Sequence, residues 1–186
     1  LPWLRGSDAH HPEQAGVRTC WLKMSAPDFD GLRHALLDPE NCVLFDDNPP
    51  EAPASHLRSL TFRTRLCRPA DQNGASVEFS PFYNAVIGSR GSGKSTLIES
   101  IRLAMRKTEG LTVSQSNKLS QFSQTGMGME ADSFIECVFR KEGTDFRLSW
   151  RPGGRHELHI FSEGQWVQDN HWSADRFPLS IYSQKM

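Results

Sequence analysis

The chain has 186 residues, of which 37% are hydrophobic and 23% charged; that suffices for one ordinary domain, or for a small domain plus a piece of another. With 21 Lys+Arg against 22 Asp+Glu the net charge is -1, which excludes a generally basic nucleic-acid coat while leaving room for a local patch. No apolar run approaches the roughly 20 residues of a membrane span, no basic start precedes an apolar stretch as in a signal peptide, and Cys20, Cys42, Cys67 and Cys137 form no CxxC pair, so the cysteines read as small hydrophobes in a reducing cytoplasm.

The chain opens Leu1-Pro2-Trp3 without a Met, a first hint of a piece of something longer. Residues 1–45 read as a short folded region. Ser25-Ala26-Pro27-Asp28 has the pattern of a capping box, with Ser as the cap and Asp three positions on. Phe29, Leu32, Ala35 and Leu36 then recur at helical spacing, and Asp38-Pro39 ends the helix. Cys42 to Phe45 reads as a strand or extended exit. Residues 46–56, Pro-rich and acidic, have linker composition.

Residues 57–186 form the second region. Leu57 to Leu66 alternates, with Leu60 and Phe62 on one face and Ser59 and Thr61 on the other, which predicts a strand. Asp71 to Gly74 reads as a turn, and Val77 and Phe79 belong to a second strand. Asn84-Ala85-Val86-Ile87 is short, apolar and stops at Gly88, as a buried strand does. The following helix puts Leu97, Ile98, Ile101, Ala104 and Met105 on one face, with Glu99, Arg102 and Arg106 opposite. Residues 111–128, rich in Ser, Gln and Gly, read as a mobile loop. Phe134–Phe139, Phe146–Trp150, Leu158–Ile160 and Trp166–Val167, punctuated by Pro152-Gly153-Gly154-Arg155, predict an antiparallel meander. Leu179 and Ile181 predict a last strand.

Gly88-Ser89-Arg90-Gly91-Ser92-Gly93-Lys94-Ser95 satisfies G-x-x-x-x-G-K-[ST] in full. The glycines let the backbone curl so that its N–H groups point at a phosphate, and the helix start adds partial positive charge. Lys94 reaches the β- and γ-phosphates, and Ser95 offers a hydroxyl to Mg²⁺. Arg90 reads as solvated rather than phosphate-bound, and Thr96 as packing or capping. ATP and Mg²⁺ are thus the expected cofactors. A hydrolase of this type also needs a carboxylate after four apolar residues. None follows Lys94, so this chain alone is not expected to be a complete ATPase.

The order of elements resembles the first lobe of ABC-type ATPases of the SMC, RecN and RecF branch: strand, phosphate loop, helix, antiparallel strands, then a glutamine. The fold class expected is α/β (α+β), a P-loop NTPase lobe with an antiparallel β-subdomain. The resemblance implies that Gln184 contacts magnesium or the attacking water, that a second lobe supplies the signature motif and the magnesium carboxylate, and that ATP binding closes a homodimer acting on DNA or RNA. Asp8-Ala9-His10 taken alone is a turn-forming Asp beside a solvated His. The stretch from there to Phe45, with Trp21-Leu22-Lys23, Phe29-Asp30-Gly31-Leu32-Arg33 and Asp38-Pro39-Glu40, resembles the close of bacterial fusions of a PHP phosphoesterase to an SMC/RecF-like ATPase, the TrlF family. By that resemblance Asp8 and His10 are metal ligands, for Zn²⁺ or Mn²⁺. Two ligands make no catalytic metal centre, so no phosphoesterase activity is expected from this chain by itself.

Two other readings stay open. A kinase or GTPase-like switch shares the loop, but those folds continue with parallel βαβ units, and Asn117-Lys118-Leu119-Ser120 lacks the Asp of a guanine-specific motif. A scaffold lobe, stabilised by nucleotide without turnover, fits the missing carboxylate. Trp150, Trp166 and Trp172 read as packing residues, and Arg147, Arg151 and Arg155 as a solvated face.

Overall fold

The computed structural model describes residues 4–46, 48–70 and 73–182. The chain divides into two compact units, Leu1–Ala52 and Pro53–Met186.

In the first unit a 3-10 turn at Pro12–Gln14 precedes β1 (Trp21–Leu22), α1 (Phe29–Leu37), α2 (Pro39–Cys42) and β2 (Val43–Leu44). β1 and β2 pair antiparallel, Trp21 opposite Leu44. The cap of α1 differs from the sequence expectation. Asp28, not Ser25, is the N-cap, and its carboxylate accepts from the Gly31 N–H at 2.7 Å. Either residue could cap; Pro27 and the extended Asp28 backbone favour the later start. Gly31 is required there, because a Cβ would lie 2.1 Å from the Ala26 carbonyl oxygen. Only part of the anticipated apolar face is covered: Ala35 is buried, Leu32 and Leu36 are half-buried, and Phe29 is exposed. Pro39 ends α1 as expected but also opens α2, the first helical turn being where proline fits.

The second unit is built on β3 (Ser55–Arg63), β4 (Ala75–Glu78), α3 (Lys94–Ala104), α4 (Val113–Ser123), β5 (Phe134–Lys141), β6 (Thr144–Arg151), β7 (Arg155–Ser162) and β8 (Gln165–Gln168). The strands form one antiparallel sheet in the order β4-β3-β5-β6-β7-β8. Glu142-Gly143 and Glu163-Gly164 make the two-residue turns at β5–β6 and β7–β8, both residues of each pair at positive φ, and Pro152-Gly153-Gly154 makes the β6–β7 turn. A two-residue turn of that kind twists with the strands it joins. Leu60, Ile135, Cys137, Leu148, Trp150 and Leu158 are buried on one face, and α3 packs there through Ile101, Ala104 and Met105. Burying the Leu, Ile and Met side chains among these contributes about 1.5–3 kcal/mol apiece.

Four expectations fail here. Residues 84–87 form no strand and are exposed, Ile87 at 92%: among the described residues no strand pairs with them, and a strand exists only by pairing. Leu179 and Ile181 are likewise unpaired, though both still pack on the core. The stretch 111–128 is not a loop; Thr112 and Gln115 form a reciprocal capping box that starts α4, and Leu119 anchors it in the core. Arg102, placed on the polar side of α3, is 3% exposed, because Glu99 and the Lys107 carbonyl satisfy its guanidinium inside. Among the described residues no helix is long and apolar enough to cross a membrane.

Candidate functional site

The glycine-rich loop lies between the exposed run 84–87 and α3. Gly91 and Gly93 both adopt positive φ, 83° and 91°, a region costly for residues with a Cβ. Gly93 is the N-cap of α3 and provides no side-chain cap. The N–H groups of Lys94, Ser95 and Thr96, in the first helical turn, have no carbonyl a turn behind them and point out of the helix end. No acidic residue occupies that turn, so nothing local neutralises the helix's partial positive charge. A Cβ on Gly91 or Gly93 would meet nothing within 4 Å; the loop backbone is bare on that side, and a ligand can approach its amides. At Gly88 the packing is tight instead, since a Cβ would sit 2.4 Å from Ser92 Oγ.

Lys94 folds back over the loop. Its Nζ donates to the carbonyls of Gly88 at 2.6 Å and Ser89 at 2.7 Å, while the Ser92 N–H donates to Ser89 O at 3.3 Å. The ammonium is thereby centred on the loop's concave side. A cavity of about 710 Å³ opens there, with the loop from Arg90 to Thr96 as one wall. Phe62, Leu66, Cys67, Val86 and Ile87 make an apolar wall. The Leu66–Cys67 segment is anchored from below: Arg63 Nε donates to Asp132 at 3.1 Å, Arg63 Nη1 to the Pro69 carbonyl at 3.1 Å, and Arg68 Nη2 to Asp132 at 2.7 Å. The Arg68 hydrogen bond, more than its charge alone, holds the Asp132 carboxyl below its ordinary range. No local sequence signal marked Leu66 or Cys67 as cavity residues; they reach the loop through tertiary folding.

Chemically the site offers one ammonium, a fan of backbone N–H groups and the hydroxyls of Ser92, Ser95 and Thr96. Such a set takes a chain of phosphates, with a hydroxyl left for a divalent cation. The apolar wall suits the uncharged part of the same ligand. Arg90 and Thr96 line the cavity, Arg90 exposed and Thr96 half-buried. No described residue lining it is a carboxylate. Gln184 lies outside the described residues. Asp8 and His10 are exposed on their loop, the His10 N–H donating to Gln14 Oε1 at 3.1 Å. Among the described residues no three His, Cys, Asp or Glu side chains gather as a metal site.

No family model matches the chain. It is similar to the DNA replication and repair protein RecF of Marinobacter nauticus, with 25% identity over 132 residues. The alignment covers 67% of this chain and 32% of the relative, so the chain spans about a third of the length of the curated relative it matches.

Proposed function

We propose that Pro53–Met186 is the nucleotide-binding lobe of a RecF/SMC-like ATPase, and that its ligand is ATP with Mg²⁺. The observation that carries this is the pair of left-handed glycines, Gly91 and Gly93, exposing bare backbone at the start of α3, with the Lys94 ammonium held on the Gly88 and Ser89 carbonyls of the same loop. The likeness to RecF and the order of elements support the same reading. The fully antiparallel sheet weighs against a kinase or GTPase-like switch, which needs parallel strands joined by helices.

In this reading Lys94 exchanges its two carbonyl partners for the β- and γ-phosphate oxygens. The amides of Gly91, Gly93, Lys94 and Ser95 bind the phosphate chain, and Ser89, Arg90, Ser92 and Thr96 border it. The Ser95 hydroxyl orients Mg²⁺, which neutralises the triphosphate charge when bound. Gln184 contacts the metal or the attacking water. A second lobe supplies the remaining carboxylate, and a homodimer closes and opens with the ATP cycle. The parent protein works in DNA maintenance or defence against foreign DNA, with DNA or RNA as partner. The first unit is the closing piece of a PHP domain, to whose metal site Asp8 and His10 contribute. The absence of a carboxylate among the described lining residues favours one narrower version for this chain alone: binding without turnover, the nucleotide stabilising the lobe.

The test is a melting-temperature titration with MgATP beside Lys94→Ala and Gln184→Ala. A ligand at a hundredfold excess over Kd stabilises by about 2.7 kcal/mol, worth several degrees. Lys94→Ala should abolish the rise, and Gln184→Ala should reduce it only when Mg²⁺ is present. A wild-type chain indifferent to millimolar ATP sinks the proposal for this chain.

A further inference from the structure

The run into the phosphate loop poses a mechanical problem. Residues 84–87 belong to no sheet, yet Gly88 must hold a fixed place against Ser92. The last ladder bond before the loop comes early: the Phe79 N–H donates to the Arg58 carbonyl at 2.8 Å, extending the β3–β4 pairing by one residue. Ser80 follows it directly, then Pro81, which has no N–H and holds its neighbour extended.

Asn84 closes the gap. Its Oδ1 accepts from the Ser80 N–H at 2.7 Å, and its Nδ2 donates to the Ser80 carbonyl at 2.8 Å. One side-chain amide thus satisfies both backbone groups of one residue, as the opposite residue of an antiparallel pair would. The Ser80 hydroxyl adds a third tie, accepting from the Phe82 N–H at 3.3 Å. The turn 80–84 becomes a closed ring standing on the end of β4. Beyond it, the next hydrogen bonds along the chain are those of Lys94 to Gly88 and Ser89 and of Ser92 to Ser89.

We infer that Asn84 is a positioning residue for the phosphate loop: its amide transfers the fixed position of β4 to the run that enters Gly88. Resting on the nucleotide reading, the inference adds a residue outside the phosphate-loop motif. Asn is suited to it because the task needs a donor and an acceptor side by side on a short stem. Leu or Ala supplies neither, and Asp supplies two acceptors, one of which would face the Ser80 carbonyl.

The experiment compares the 186-residue chain with Asn84→Ala and Asn84→Asp in two measurements. The first is hydrogen exchange without nucleotide. Asn84→Ala loses both hydrogen bonds and Asn84→Asp one, and each should speed exchange of the Ser92 amide, the donor within 85–92 that is bonded to Ser89, about tenfold, with β5 to β7 unchanged. The second is MgATP affinity, expected to weaken about tenfold in both. Unchanged exchange at Ser92 overturns the inference whether or not the chain binds ATP. Faster exchange with unchanged affinity overturns it too, leaving Asn84 a local turn residue only. A wild type that fails to bind ATP sinks the nucleotide reading instead, and the exchange measurement still judges the clamp. Should Asn84→Ala lose β5 to β7 protection as a whole, Asn84→Asp, which keeps the shape and one of the bonds, decides.

Discussion

The β5–β8 meander and the stretch from Ser80 to Gly93 sit in the same compact unit and are built on opposite principles. β5 and β6 are fixed twice, by backbone bonds to both neighbours and by buried side chains on alternate residues, and β7 adds Leu158. The loop stretch has neither. Its fixed points are one asparagine amide, one lysine ammonium and two glycines whose φ few other residues tolerate. The difference shows what the molecule spends its packing on. The meander holds a surface in place; the loop leaves its backbone bare at Gly91 and Gly93, where a charged ligand can approach.

The largest loss of stability is expected in the meander. Leu148 is 1% exposed and packed between β5 and β7, and Leu148→Ala should cost about 3 kcal/mol in urea unfolding. A loss below about 1 kcal/mol would mean that the sheet interior is far looser than its burial implies.

A smaller effect is expected from His156, on β7. Burial first, and the Arg106 charge second, lower its pKa to about 4. The unfolded imidazole titrates near about 6.5. Between these values the unfolded chain binds more protons than the folded one, so stability falls as pH drops from about 6.5 to about 4 and is flat above. His156→Gln should flatten that slope. Asp169 acts lower: its hydrogen bond from Arg176 holds it near 2, so its contribution is complete above about 3.9 and disappears only as pH falls towards 2. An unchanged slope in His156→Gln would remove the assignment.

The smallest effect should come from the loop side. Ile87 is 92% exposed, and Ile87→Ser should leave the stability of this chain within about 0.5 kcal/mol. A larger loss would show that the run 84–87 is covered in solution, which would erase the contrast between the two regions.

The meander and the helix after the loop were legible because period-2 and period-3.6 patterns report local burial directly. The glycine loop was legible because its residue types are dictated by backbone geometry. What failed was whatever depended on a partner. Ala85-Val86-Ile87 has the composition of a buried strand, but composition cannot supply the strand beside it. Arg102 looked solvent-facing, and only Glu99 and the Lys107 carbonyl make its burial tolerable. The start of α4 was readable in Thr112 and Gln115, a capping box obscured by the Ser- and Gln-rich run around it. The Asn84 clamp carried no signal, since an asparagine before an apolar run fits several turns equally well.

The register of the sheet also bears on how the unit assembles in time. β5 to β8 are successive hairpins with tight turns, so their contacts are local and can form within microseconds. The β3–β5 pairing is different. Leu60 lies opposite Cys137, and everything from the Leu66 wall through the phosphate loop, α3 and α4 hangs between them as one closed loop. Loop-closure entropy makes such a pairing late. The cavity beside the glycine loop takes Phe62 and Leu66 from one side of that closure and the loop from its middle, so in refolding of the whole chain it acquires its shape after the hairpins.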